Sequence, residues 1–135
     1  MKTVMAFGAF DIVHPGHLYY LKEARKHGDT LIVVVARDET IKKAKGTEPK
    51  FHQQDRLEFM RQLRLVDKAV LGNPEDYLKV IEEHKPDILC LGYDQRAMTD
   101  DLNAKLAKRG LHPGIIRIAP YKQDIYKSGK LKERL

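Results

Sequence analysis

The amino-acid sequence predicts an α/β fold, a single domain built on a doubly wound parallel sheet. Three observations predict it. Short apolar runs alternate with longer amphipathic stretches along the chain, the signature of successive strand–helix–strand units. One of those runs, DTLIVVVA at 29–36, is rich in β-branched residues and shows no polar alternation, as suits a strand covered on both faces. Glycine and proline stand at the joints, at Gly28, Gly46, Pro49, Pro74 and Gly110, where they close one element or open the next.

In order, TVMAF at 3–7 is a short, mostly apolar strand. PGHLYYLKEARKHG follows, with Leu18, Leu21 and Ala24 at helical spacing and Gly28 as its stop. After the run at 29–36, RDETIKK begins a short helix with Asp38 as the expected N-cap. AKGTEPKFH is a loop. Residues 53–64 alternate charged and apolar groups as an amphipathic helix, with Leu57, Met60 and Leu63 on one face. KAVLG is a strand. NPEDYLKVIEEHKP reads as a helix capped by Asn73, with Pro74 at its first position, where a missing N–H costs nothing. DILCLG is the next buried strand, 99–109 a helix ended by Gly110, GIIRIAP the last strand, and SGKLKERL a closing helix with Ser128 as cap. No repeat, linker or low-complexity tract interrupts this order, so residues 1–135 are expected to form one domain.

Composition narrows the function classes. Hydrophobic residues are 42% and charged residues 33%, a balance that builds a core and excludes a disordered chain. No stretch is apolar and long enough to cross a bilayer. The strand pattern starts at residue 3, which leaves no signal peptide. We therefore expect a cytoplasmic protein without a membrane partner. The net charge of +6 attracts anions. The lysines are scattered, with concentrations at 42–45 and 127–132 but no basic face studded with aromatics, which argues against nucleic acid. The single cysteine, Cys90, rules out a disulfide within the chain and reads as a small buried hydrophobe.

The chemistry concentrates in GAFDIVHPGH at 8–17, between the first strand and the first helix. Open α/β sheets bind ligands beyond the carboxyl ends of their strands. Gly8 has no Cβ, so backbone there is expected to approach a ligand closely. Gly16 stands at a helix start, whose N–H groups and dipole favour an anion. His14 and His17 flank that entrance and can both point a ring N–H at one phosphate. A cap or turn role is the plainer reading of one such histidine. Two of them around Pro15-Gly16 favour a nucleotide phosphate site. The arrangement suits nucleotidyl transfer, in which an acceptor phosphate attacks the α-phosphorus of a nucleoside triphosphate and positioned donors stabilise the charge that builds.

HPGH after GAFD resembles the HxGH signature of the nucleotidylyltransferase superfamily. The similarity runs on through ARDETIKK, Asp55-Arg56, VDKAVLG and KPDILCLGYDQ, and so covers nearly the whole chain. Length and layout resemble the single-domain cytidylyltransferases acting on glycerol 3-phosphate. FDIVHPGH, ARDET and LGYDQ are most similar to the archaeal-type FAD synthetases. The resemblance implies a Rossmann-like nucleotidyltransferase fold and AMP transfer from ATP to FMN, giving FAD and pyrophosphate. It implies Mg²⁺ or another divalent cation brought with ATP, and a homodimer. By position it implies that Ala9 and Phe10 line the nucleotide and that His14 and His17, with Pro15 and Gly16 between them, contact the triphosphate. It also implies that Asp94 sits at the nucleoside. Of Lys42, Lys43 and Lys45, in the segment where relatives carry a phosphate-reaching lysine, Lys45 beside Gly46 is the expected one. Arg56 is expected either to support the site or to pair on a helix surface.

Two departures qualify the resemblance. Cytidylyltransferases carry Arg-Thr-x-Gly-x-Ser-Thr before the last helix; this chain has PYKQDIYKSGKL. Lys122 supplies charge there, and Tyr121 is placed to pack against the base. Archaeal FAD synthetases often carry C-terminal cysteines, and none is present here. Tyr19, Tyr20, Tyr93, Tyr121 and Tyr126 are candidates to stack a flavin. The alternatives are the same transfer, from CTP or ATP, to a small phosphorylated alcohol or sugar, and a nucleotide-binding module without turnover.

Overall fold

A computed structural model describes residues 2–92 and 101–119 of the chain. Its strands are β1 (Thr3–Gly8), β2 (Thr30–Val35), β3 (Lys68–Leu71), β4 (Ile88–Gly92) and β5 (Gly114–Ile118). Its helices are α1 (Pro15–Arg25), α2 (Asp38–Lys45), α3 (Gln53–Arg61), α4 (Lys79–His84) and α5 (Leu102–Lys108). The strands form one sheet in the order β3-β2-β1-β4-β5, parallel at every pairing. This is the doubly wound α/β architecture that the sequence predicts. The chain starts in the middle, walks out through β2 to β3, then returns to lay β4 against the free edge of β1.

Right-handed crossovers put the helices of the outward walk on one face and those of the return on the other. The core divides accordingly. On one face Val4, Ala6, Leu31, Val33 and Val35 pack with Leu21 and Ala24 of α1 and with Leu57 and Met60 of α3. On the other, Met5, Phe7, Ile32, Val34, Leu89 and Leu91 pack with Val80 and Ile81 of α4 and with Leu102 and Leu106 of α5. Successive residues of β1 and β2 serve opposite faces. The stretch at 31–35 needs no polar position for that reason.

The two edges of β1 are not alike. Against β2 it pairs along its full length, from Thr3↔Thr30 to Gly8↔Val35. Against β4 it pairs only from Val4↔Ile88 to Ala6↔Cys90. There the Tyr20 hydroxyl of α1 donates to the Cys90 carbonyl at 2.6 Å and accepts from the Phe7 N–H at 3.1 Å. A side-chain hydroxyl stands where a direct Phe7–Cys90 ladder bond would otherwise form. This is the topological switch point, where the strand order reverses; open α/β sheets bind ligands in the crevice outside the carboxyl ends at such a point.

Several local expectations need correction. Asp38 is the first residue of α2, and Arg37 is its cap; the Asp38 carboxylate is drawn away by Arg56 at 2.7 Å. The helix expected from Asn73 starts only at Lys79. The Asn73 side chain accepts from the N–H groups of Glu75 and Asp76, and the Asp76 carboxylate accepts from that of Leu78. Each side chain closes its own turn and competes with the helix ladder. Leu18 is 40% exposed. Three-residue steps fall short of a full turn, and it stands about 120° round α1 from Ala24. Leu63 lies past the end of α3 but still packs on the core. The closing helix and Ser128 lie outside the described residues.

Cys90 is fully buried in β4, and burial raises its thiol to about 11. It is the small hydrophobe the sequence predicts. We expect Cys90→Ser to lower stability by about 1–3 kcal/mol, the cost of a hydroxyl placed among apolar groups, in a urea unfolding curve.

Candidate nucleotide site at the carboxyl edge of the sheet

The segment after β1 turns sharply under a local constraint. Phe10 adopts φ +53° and is buried at 3% exposure. Its ring lies so close beneath Gly8 that a Cβ there would sit 2.7 Å from the ring carbons. Gly8 thus makes room for the Phe10 ring, a constraint that the sequence did not show. The Phe10 ring also stands 5.5 Å from that of His17.

α1 opens on Pro15, and its first turn is capped by the two histidines. His14 is the N-cap; its Nδ1 accepts from the Gly16 N–H at 3.0 Å. His17, three residues on, accepts from the His14 N–H through its own Nδ1 at 3.2 Å. This is a reciprocal capping box with imidazoles in both places. The rings lie 4.1 Å apart. The cap reading and the ligand reading are thus compatible, because an imidazole has two nitrogens. A neutral ring that accepts at Nδ1 carries its proton on Nε2. The cap fixes both rings in the tautomer that donates from Nε2.

Electrostatics agree with this. Burial lowers the His14 pKa below its usual value. His17 is lowered to about 4, first by burial, then by the neighbouring His14 and by Lys45. Of the three candidate lysines, Lys45 is the one whose charge is felt at His17. Lys42 is drawn to Glu48 at 3.6 Å. Lys45 ends α2, and Gly46 behind it takes the left-handed conformation, φ +78°, that turns the chain out of the helix.

Two further residues hold this arrangement in place. The carboxylate of Asp11 accepts from the N–H groups of Lys50 and Phe51 at 2.7 and 2.9 Å, tying the loop behind Lys45 to the turn before His14. Arg56, 2% exposed, lies at the start of α3 and is no surface residue. It donates to the carbonyls of Phe51, Ala9 and Ala36 and to the Asp38 carboxylate, all within 2.6–2.9 Å. Sequence reasoning gave Asp11 no role. Its partners are 39 and 40 residues away, and nothing local points to them. Arg56 did leave a signal: it precedes Met60 by one helical turn, on the apolar face. Tyr20, considered for stacking, has its hydroxyl committed between β1 and β4. Tyr19 packs against the core. Asp94, Tyr121, Lys122, Tyr93 and Tyr126 lie outside the described residues.

Among the described residues no cluster of three His, Cys, Asp or Glu side chains is placed to hold a metal ion. The residues here form no cage for Mg²⁺. A divalent cation would have to come to such a site with a bound triphosphate. The described helices include none long and apolar enough to cross a membrane.

Comparison with known proteins gives a consistent picture. The family model described as cytidylyltransferase-like matches residues 5–134. An FAD synthase of Thermoplasma acidophilum is 43% identical over 135 residues, covering 100% of this chain and 94% of its own length. One from Pyrococcus horikoshii is 45% identical, covering 98% of this chain and 90% of its own. A crystal structure of a Thermoplasma volcanium protein, described as a lipopolysaccharide core biosynthesis protein, superimposes with a TM-score of 0.85. It is 47% identical and covers 90% of this chain and 99% of its own. Pantoate-beta-alanine ligase of Francisella tularensis, with a TM-score of 0.65 at 16% identity over 98% of this chain and 70% of its own, shares the fold.

Removing the buried guanidinium leaves three carbonyls and a carboxylate without their donor. We expect Arg56→Met to cost about 3–5 kcal/mol, the range for breaking a buried ion pair, in a denaturant midpoint.

Proposed function

The chain belongs to the cytidylyltransferase-like family, and from that premise we propose that it transfers the adenylyl group of ATP to FMN, giving FAD and pyrophosphate. The observation that carries the acceptor is the series of FAD synthases 39–45% identical over nearly the whole chain. The observation that supports the chemistry is the imidazole capping box at the start of α1.

The phosphate of FMN is the nucleophile. One of its oxygens bonds to the α-phosphorus as the bond to the bridging oxygen breaks, and pyrophosphate leaves with the electron pair. The acceptor phosphate is ionised at neutral pH, with a second pKa of about 6, so no protein base is needed. Charge grows on the oxygens of the α-phosphate and of the leaving group. His14 and His17 donate from Nε2 to those oxygens, and the α1 N–H groups and dipole act alongside them. Lys45 closes over the same phosphates from the end of α2. Ala9, Pro15 and Gly16 line the phosphates with backbone. Phe10 supports the nucleotide through its backbone and sets the His17 ring from below. Asp94 and Tyr121 are proposed to hold the nucleoside. The divalent cation neutralises the triphosphate. We place the protein in the cytoplasm as a single-domain homodimer.

The deciding assay is pyrophosphate release with Mg²⁺, crossing ATP and CTP with FMN, glycerol 3-phosphate and phosphoethanolamine. Turnover with ATP and FMN alone supports the proposal. Turnover with another pair keeps the site and moves the acceptor. Nucleotide binding with no turnover in any pair favours a binding module. We expect His17→Ala to keep the circular dichroism of the fold and to lose a hundredfold or more in turnover, as is typical (~10²–10³) for one lost transition-state donor. A fully active variant would refute the assignment.

The capping box also fixes a pH dependence. With its folded pKa at about 4, against 6.5 ordinarily, His17 binds fewer protons folded than unfolded between those values. Stability therefore rises with pH across that window and falls as pH drops toward 4. In nitrogen-15 NMR spectra we expect His17 to keep an unprotonated Nδ1 and a protonated Nε2 down to about pH 5, where an ordinary histidine is already charged.

A further inference from the structure

One cation at the carboxyl edge is held in place and has no anion partner among the described residues. Arg37 follows β2 and caps α2. Its Nε donates to the Gly72 carbonyl, just past β3, at 2.7 Å. That single bond aims the guanidinium and leaves its terminal amino groups, Nη1 and Nη2, without a partner among the described residues. The neighbouring carboxylate, Asp38, is taken by Arg56 at 2.7 Å, with His52 3.8 Å from its other oxygen. Arg37 is also partly buried. An arginine with one edge fixed and its fork open is prepared for a bidentate anion, and a phosphate is the shape that fits.

Its position says which phosphate. The Ala36 N–H donates to the Gly8 carbonyl at 2.9 Å, and the Gly72 N–H to the Val35 carbonyl at 3.0 Å. The ends of β1, β2 and β3 are thereby stitched side by side, and Arg37 lies on that shelf. The shelf is on the opposite side of β1 from the β1–β4 crevice. If the nucleoside lies in that crevice and the triphosphate over α1, the attacking group must reach the α-phosphorus from elsewhere. The β2–β3 shelf supplies the approach.

We infer that Arg37 binds the phosphate of the acceptor, and so is the residue by which the enzyme requires a phosphorylated flavin in place of riboflavin. This rests on the reaction proposed above. Arg37 gives and takes no proton: the phosphate oxygen bonds to the α-phosphorus, the bridging oxygen departs with pyrophosphate, and the guanidinium orients the nucleophile.

The test is flavin fluorescence titration of the full-length wild type, Arg37→Gln and Arg37→Lys, each with FMN and with riboflavin, alongside ATP binding and thermal midpoints. We expect Arg37→Gln to weaken FMN by about tenfold to a hundredfold, the range for a lost charge-assisted contact. Riboflavin and ATP affinities should stay within twofold of the wild-type values, with Arg37→Lys between the two proteins for FMN. An unchanged FMN affinity in Arg37→Gln overturns the inference. So does equal weakening of FMN and riboflavin with a lowered midpoint, which would make Arg37 only a tie to Gly72. A wild type that binds ATP but does not prefer FMN to riboflavin overturns the acceptor reading itself, and the inference falls with it.

Discussion

One guanidinium organises the working edge of this molecule. Arg56 lies in the core, yet its partners belong to the segments after β1 and β2, to the approach to α3 and to the start of α2. A parallel sheet ends in loops that share no hydrogen-bond ladder. Each carries carbonyls that would otherwise need water or a partner of their own. Gathering three carbonyls and a carboxylate onto one five-donor group satisfies them together and fixes the loops relative to each other. The Asp11 carboxylate makes the complementary tie, collecting N–H groups where Arg56 collects oxygens. The loop behind Lys45 is thereby held against the histidine turn.

The histidines use the same economy on a smaller scale. Each ring accepts through Nδ1 within the cap, which puts its proton on Nε2. The capping bonds, burial and neighbouring positive charge all favour the neutral ring. Neutral donors suit a site that must hold a polyanion and then release pyrophosphate. In the proposed mechanism the permanent charge falls to Lys45, whose side chain is exposed.

Much of this was legible in the sequence, and the remainder has physical reasons. The parallel sheet was readable because burial on both faces removes polar positions from 31–35. The histidine pair was readable because it stands at a strand-to-helix junction. Asn73 and Pro74 misled because the local signal was genuine: Asn73 does cap a turn, but Asp76 caps the next, and the helix waits for Lys79. At Gly8 the sequence showed the missing Cβ but not the neighbour that needs the space, the Phe10 ring, held in a conformation no composition reveals. Asp11, Arg56 and Tyr20 act across 13 to 70 residues of chain. Side-chain identity marks such groups as able to bond but does not say to what. Asp94 and Tyr121 still rest on resemblance.

The left-handed backbone at Phe10 has a consequence for how such a protein can change. A non-glycine residue held there carries roughly 1–3 kcal/mol of strain, sustained because its ring fills the space under Gly8 and beside His17. The first turn after β1 is therefore a point of frustration at which the most comfortable backbone and the useful geometry differ. Lineages or laboratory selections that reward heat tolerance alone would find an easy gain in relaxing that residue. The ring that props His17 would swing away in the process. Robustness and chemistry compete over one dihedral angle, and the tension sits in the fold's first loop, where it cannot be relieved by adjusting the surface.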